Sequence, residues 1–126
     1  MPPSDSLIDP LGYGAVSYWL ETAGDDLTPR PALLGEIDAD VAILGAGYTG
    51  LWTAYELLRR DPSLRVVLLE REIAGFGASG RNGGWVASGL NASSDRLELA
   101  FGSERMAAIE DAVAGAVDAV WVAIGR

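Results

Sequence analysis

Two short unbroken apolar runs, Val41-Ala42-Ile43-Leu44 and Val66-Val67-Leu68-Leu69, stand out against an otherwise mixed sequence. Such runs are the pattern of parallel strands buried on both faces. Between them, Leu51 to Arg60 consists of helix formers, with Leu51, Ala54, Tyr55 and Leu58 on one stripe. Arg59 and Arg60 fall in the last turn, where cations suit the helix dipole, and Pro62 stops the helix. Further on, Met106, Ile109, Val113, Val117, Val120 and Ile124 keep helical spacing. Ser103 is the expected N-cap of that helix, which at about 20 residues would be roughly 30 Å long.

The remaining segments lack such periodicity. Residues 1–38 hold five of the six prolines, including Pro2 and Pro3, and read as an irregular arm. Within the arm, Ser17 to Thr22 is expected to form a short helix and Thr28-Pro29-Arg30-Pro31 an extended stretch, since each proline restricts its predecessor. Trp19 is expected to anchor the arm hydrophobically on the domain. Six of the 16 glycines fall between Ile73 and Leu90, which demands a loop over Gly75 to Gly84. Trp85-Val86-Ala87-Ser88 follows as a short expected strand. The order strand, Gly-rich turn, helix, strand defines an α/β class chain with a Rossmann-type βαβ unit. A second Gly-rich loop and a C-terminal amphipathic helix complete it. Two domains follow: the arm, 1–38, and a partial dinucleotide-binding domain, 39–126.

Composition removes several chemistries. The nine cations are all arginines, and histidine, cysteine and lysine are absent from the 126 residues. That excludes Ser-His-Asp and Cys-His nucleophiles, disulfides, zinc sites with nitrogen or sulfur ligands, Walker-type phosphate loops and Schiff bases. The net charge of −9 is uneven: residues 1–40 carry −7, residues 41–90 carry +1 and residues 91–126 carry −3. An acidic surface argues against nucleic acid or anionic membrane as partner. Only the middle third is open to an anion. The start of the chain lacks a cationic segment followed by an apolar one, and Glu110, Asp111 and Asp118 interrupt the late apolar stretch. Neither a secretory signal nor a membrane span is expected, and the cytoplasm is the expected location.

The middle third also contains a nucleotide fingerprint. Gly45-Ala46-Gly47-Tyr48-Thr49-Gly50 follows the first strand directly and opens the helix, the context that gives a G-x-G-x-x-G spacing its meaning. Gly45 permits the tight turn, Gly47 lets the backbone approach a pyrophosphate, and Gly50 allows close helix–strand packing. The helix N-terminus offers N–H groups and the positive end of a dipole to phosphates. Glu70 lies 20 residues after Gly50 and ends the second strand. There its carboxylate can accept hydrogen bonds from both ribose hydroxyls of an adenosine and would repel a 2′-phosphate. A solvated strand-end glutamate beside a merely structural turn is the competing reading. The fingerprint leaves FAD and NAD both open.

The segment Gly75-Phe76-Gly77-Ala78-Ser79-Gly80-Arg81-Asn82-Gly83-Gly84, taken with Gly45 to Gly50 and Glu70-Arg71, resembles the FAD-dependent oxidoreductases of the D-amino-acid oxidase superfamily. The Gly-Ala-Ser-Gly-Arg-Asn-Gly-Gly wording is most similar to the γ-glutamylputrescine oxidase-like branch, and the likeness covers about residues 17–125. The resemblance implies that the second Gly-rich loop runs past the FAD pyrophosphate toward the isoalloxazine ring. It carries over Tyr48, Thr49, Arg71, Ala78, Ser79, Arg81, Asn82 and Gly83 as cofactor contacts beside Gly45, Gly47, Gly50 and Glu70. Small residues permit close approach, Ser79 and Asn82 supply hydrogen bonds, and Arg81 can offset phosphate charge unless a surface carboxylate claims it.

The resemblance further implies oxidation of a carbon bearing an amine, in an amine or amino acid, by hydride transfer to flavin. FAD would be held non-covalently, because the chain has no histidine or cysteine to attach it. No catalytic or metal-binding residue is expected: Glu56, Asp61 and the later acids read as solvated charges on helix faces and turns. Two strands form a marginal sheet, and the apolar stripe after Ser103 needs a partner. The chain is therefore expected to be the N-terminal portion of a larger flavoenzyme, inactive alone. The alternatives are an NAD-binding module, or a non-catalytic subunit that completes an FAD site with a separately encoded C-terminal half.

Overall fold

A computed structural model describes residues 9–90 and 92–125. The first eight residues of the expected arm, with Pro2 and Pro3, lie outside them. The chain divides into two compact units, one ending at Gly83 and the other beginning at Gly84.

The first unit contains the βαβ element. Strands β1 (Val41–Leu44) and β2 (Val66–Leu69) pair in parallel, with Val41 opposite Val66 and Leu44 opposite Leu69, so both expected strands have their expected bounds. Asp40 closes the N-terminal end of this ladder. Its N–H donates to the Arg65 carbonyl at 2.9 Å, while its carboxylate accepts from Arg65 N at 2.8 Å and Arg65 Nη2 at 3.0 Å. At the other end, Gly45 N donates to the Leu69 carbonyl at 2.7 Å. The expectation of burial on both faces does not hold. β1 alternates between half-buried and exposed, and Leu44 is 82% exposed. With only two strands and one helix among its neighbours, the sheet has too few layers to cover both faces.

Helix α2 (Tyr48–Arg60) crosses between the strands. It begins three residues before the expected Leu51, and its rotation departs in part from the apolar stripe. Of that stripe Ala54 is half-buried, as is Leu57, and Gly50 is buried, whereas Leu51, Tyr55 and Leu58 are exposed. The cause is Gly50, whose Cα must face the end of β1. Positions four and seven residues later then share its side of the helix.

The described part of the arm carries more local structure than its prolines suggest. It forms a 3₁₀ turn at Tyr13–Val16 and a five-residue helix α1 (Tyr18–Thr22), capped by the Ser17 hydroxyl, which accepts from Leu20 N at 3.2 Å. The arm's Tyr13, Leu20 and Leu27 form a small core with Ile73 from the segment after β2, and Val16 and Phe76 pack against it. Trp19 is not the buried anchor expected of it. It is 44% exposed, and Leu20 beside it takes the inward position.

The second unit holds α3 (Ser94–Phe101) and α4 (Ser103–Ile124), which pack on each other. Met106 is buried and Ile109, Val113, Val117 and Val120 are half-buried, as their spacing predicts, while Ile124 is exposed. Ser103 is not the N-cap. Gly102, with φ 82°, occupies that position and separates the two helices. The expected strand at Trp85 to Ser88 does not form, and Trp85 is 90% exposed. An extended segment becomes a strand only where another strand accepts its hydrogen bonds, and none does so here among the described residues.

Candidate functional site

The site is built on the turn leaving β1. Gly45 has φ +97°, a left-handed conformation that glycine adopts without penalty. Five residues later, a Cβ on Gly50 would sit 2.0 Å from the Gly45 carbonyl oxygen and 3.2 Å from Ile43 Cγ2. The α2 N-terminus therefore rests directly on the strand end. Ala46, inside the turn, is buried.

Glu70 follows β2 and fixes this turn. Its Oε2 accepts from Ala46 N at 2.7 Å, and its Oε1 accepts from Arg71 N at 2.9 Å and Glu72 N at 3.1 Å. These backbone N–H groups, Ala46 first, hold the carboxyl below the ordinary glutamate value, helped by the Arg71 charge and opposed by partial desolvation. Three of its four lone-pair directions are thus engaged, and Oε2 keeps one acceptor site for an incoming hydroxyl. Arg71 turns its guanidinium to the Glu72 carboxylate at 3.1 Å.

The second Gly-rich segment comes to the same place. Gly75 N donates to the Ala46 carbonyl at 2.9 Å. Ser79 Oγ accepts from Tyr48 N at 2.8 Å, so the cap of α2 comes from 31 residues away and not from the adjacent Gly47. Asn82 Nδ2 reaches the Ser79 carbonyl and, at 3.4 Å, the Tyr48 hydroxyl. Gly45, Gly47, Tyr48, Gly50, Glu70, Ser79 and Asn82 are thereby tied into one cluster. Thr49, Ala78 and Gly83 are its chain neighbours. The Thr49 carbonyl accepts from the Thr53 hydroxyl at 2.7 Å along α2.

Among the described residues, Arg81 does not form the surface salt bridge of the competing reading. Its Nε donates to the Phe76 carbonyl at 2.9 Å and its guanidinium carbon lies 4.9 Å from the centre of the Phe76 ring. It enters none of the ion pairs formed among the described residues.

Three contributors escape the sequence reading. Gly75 has φ +77°, and a Cβ on Gly80 would lie 2.2 Å from the Gly75 carbonyl oxygen, repeating the Gly45–Gly50 arrangement. The G-x-G-x-x-G spacing at 75–80 was the available signal. The third is Trp19, whose indole N–H donates to the Asn82 carbonyl at 2.7 Å, a link for which no periodicity gives warning. Glu56 and Asp61 behave as ordinary surface groups: Glu56 pairs with Arg59 at 2.9 Å and Asp61 bonds Ser63, and both partners hold the carboxyls below their usual values. Two open surface hollows of about 380 and 360 Å³ lie along α3 and along one flank of α2, lined by residues apart from this cluster.

A parallel βαβ turn with a backbone-bonded carboxylate at the second strand end has the form of a dinucleotide-type turn. The chain belongs to the family described as FAD dependent oxidoreductase, whose model matches residues 40–125. Among its relatives, the Escherichia coli (strain K12) gamma-glutamylputrescine oxidoreductase is 38% identical over 88 residues, covering 70% of this chain and 20% of that protein. The Rhizobium meliloti (strain 1021) protein named "Probable oxidoreductase OrdL" is 40% identical over 86 residues, covering 68% of this chain and 20% of the relative. A shorter likeness, 58% over 33 residues, covers 26% of this chain and 7% of the mitochondrial L-2-hydroxyglutarate dehydrogenase of Dictyostelium discoideum. The chain spans about a fifth of the length of the first two relatives. No solved structure matches it. The family is FAD dependent, which decides between the two nucleotides the first turn leaves open. No helix among the described residues is long and apolar enough to cross a membrane.

Proposed function

We propose that residues 39–126 are the nucleotide-binding portion of a larger FAD-dependent oxidoreductase, with a Rossmann-type βαβ unit that holds the ADP half of the cofactor non-covalently. The observation that carries this is Glu70, exposed at the end of β2, with its carboxylate fixed by three backbone N–H groups and one acceptor site left on Oε2. That site suits an adenosine ribose hydroxyl, and the fixed negative charge disfavours a 2′-phosphate. The turn fits such a cofactor sterically. The positions where side chains on Gly45 and Gly77 would stand are open, leaving bare backbone for close approach.

Gly47, Tyr48, Thr49 and Gly50 form the dipolar end of α2 toward the pyrophosphate. Ser79, having accepted from Tyr48 N, keeps its own proton to donate to a phosphate oxygen. Ala78, Asn82 and Gly83 line the path beyond it. Arg71 and Arg81 supply positive charge from positions set by Glu72 and Phe76. FAD held there supplies the two-electron acceptor for oxidation of a CH–NH group in a small amine or amino acid, the substrate class that the name of the E. coli relative suggests. Substrate groups would come from elsewhere in the complete enzyme, in the cytoplasm, and no catalytic residue is assigned within this chain. The name of the Dictyostelium relative concerns a hydroxy acid, in keeping with a shared cofactor segment that does not select substrate.

Titration of the chain with FAD, followed by the change in the visible flavin bands with ADP as competitor, tests the reading. Saturable binding that ADP reverses and Glu70→Ala weakens by about tenfold, the loss of a charge-assisted hydrogen bond, is expected. Absence of saturable binding, or unchanged affinity in Glu70→Ala, overturns it.

A further inference from the structure

We propose that the N-terminal arm clamps the second Gly-rich segment onto the first, and that Trp19 is the positioning residue of that clamp. The importance of the clamp to cofactor binding rests on the reading of these two segments as the flavin site. The family model matches from residue 40, so the arm lies outside the matched segment, yet it contributes three of the four residues of the small core.

Residues 75–83 are glycine-rich, with few apolar side chains to hold them. Fixation comes instead from two sides. Toward the α2 N-terminus, Gly75 N reaches Ala46, Ser79 Oγ accepts from Tyr48 N, and Asn82 Nδ2 reaches the Tyr48 hydroxyl. Toward the arm, Trp19 Nε1 donates to the Asn82 carbonyl at 2.7 Å, and the Tyr13 ring meets the Phe76 ring edge-on at 5.6 Å. The Tyr13 hydroxyl also donates to Glu72 Oε2 at 3.0 Å.

The arm has its own foundation for this task. Asp9 accepts from Tyr13 N at 2.7 Å and Gly14 N at 2.8 Å, and the Ser17 cap starts α1. Leu20 is buried in the core, leaving its neighbour Trp19 to reach the loop. The Trp19–Asn82 link joins residues 63 apart and restrains a backbone that glycine would otherwise leave free.

The test compares the wild-type chain with Trp19→Phe, which keeps an aromatic ring and removes the donor, and Trp19→His, whose ring N–H can replace it. Amide hydrogen exchange of residues 80–83 is followed without cofactor, FAD affinity by titration, and the thermal midpoint as control. In Trp19→Phe, exchange is expected to quicken and FAD affinity to fall, each about fivefold, which corresponds to about 1 kcal/mol. The thermal midpoint should fall by no more than about 4 °C, the global counterpart of the same 1 kcal/mol, and Trp19→His should recover most of both effects. Equal exchange in Trp19→Phe and wild type, or equal defects in Phe and His variants, overturns the clamp. If exchange responds as expected while no form of the chain binds FAD, the clamp stands and the cofactor reading falls. Should Trp19→Phe fail to fold, Tyr13→Leu, which removes the ring that meets Phe76, gives the same exchange readout, and unchanged exchange there also counts against the clamp.

Discussion

Replacing Gly50 by alanine sets two effects of known sign against each other. Alanine is the better helix former by up to about 1 kcal/mol, and Gly50 lies within α2. Against this, the new Cβ would stand 2.0 Å from the Gly45 carbonyl oxygen, 3.2 Å from the Gly45 carbonyl carbon and 3.2 Å from Ile43 Cγ2. The oxygen cannot swing aside, because Gly45 is held at φ +97° and its N–H is bonded to Leu69. Reaching an ordinary contact of about 3.5 Å requires α2 to withdraw from the sheet by roughly 1 Å or more. Such overpacking costs about 1–3 kcal/mol, and a backbone obstacle places it at the upper end, so a net loss of about 2 kcal/mol is expected. Gly115 in α4 is the control: nothing lies within 4 Å of its Cβ position, so alanine there should stabilise by up to about 1 kcal/mol. Urea unfolding followed by far-ultraviolet circular dichroism should move the midpoint down for Gly50→Ala and up for Gly115→Ala. A Gly50→Ala midpoint at or above wild type would refute the close-packing argument.

The other predictions concern the second strand end and the second turn. The folded-state value of Glu70 is lowered by its backbone donors, so its stabilisation is complete above the ordinary glutamate value of 4.5 and is lost as pH falls through the lowered value. The stability difference between wild type and Glu70→Gln, from urea midpoints, should be largest near neutrality and shrink in acid below 4.5. A difference constant with pH would remove Glu70 from its bonded position. Gly80→Ala brings a Cβ to 2.2 Å from the Gly75 carbonyl oxygen, whereas Gly77→Ala meets open space. FAD titration should therefore show a loss of about tenfold or more for Gly80→Ala, while the Gly77 variant remains near wild type in its urea midpoint.

Sequence pattern located the parallel strands because each is bracketed by residues that do not continue an apolar run, Asp40 and Gly45 around β1 and Arg65 and Glu70 around β2. The rotation of α2 was not readable in the same way. Apolar spacing favoured Leu51, Tyr55 and Leu58, but a contact made by the absence of a side chain, at Gly50, decided which face meets the sheet. The Trp85 segment has strand-forming residues, yet strand formation depends on a neighbour's free edge, which local pattern does not encode. The candidate cluster was readable as residue types at fixed spacing. Its cross-links were not, because Ser79 to Tyr48 and Trp19 to Asn82 join residues 31 and 63 positions apart through single polar groups.

The two glycine segments show what such a spacing does and does not specify. Gly45 to Gly50 and Gly75 to Gly80 share G-x-G-x-x-G, a positive φ at the first glycine, and a last glycine whose Cβ would strike the first one's carbonyl. Their continuations diverge. Leu51-Trp52-Thr53-Ala54 propagates the first into a 13-residue helix. Arg81-Asn82-Gly83-Gly84 leaves the second as a three-residue 3₁₀ turn, since glycine cannot sustain propagation past a costly nucleus. The spacing thus encodes a backbone turn in both places. Only the first gains a full helix dipole and, through Ala46, a carboxylate at the neighbouring strand end. The second acts through Ser79, which the turn carries to the α2 N-terminus as its cap. The proposed nucleotide site accordingly pairs the first turn with Glu70, and the second turn braces that pair through Ser79.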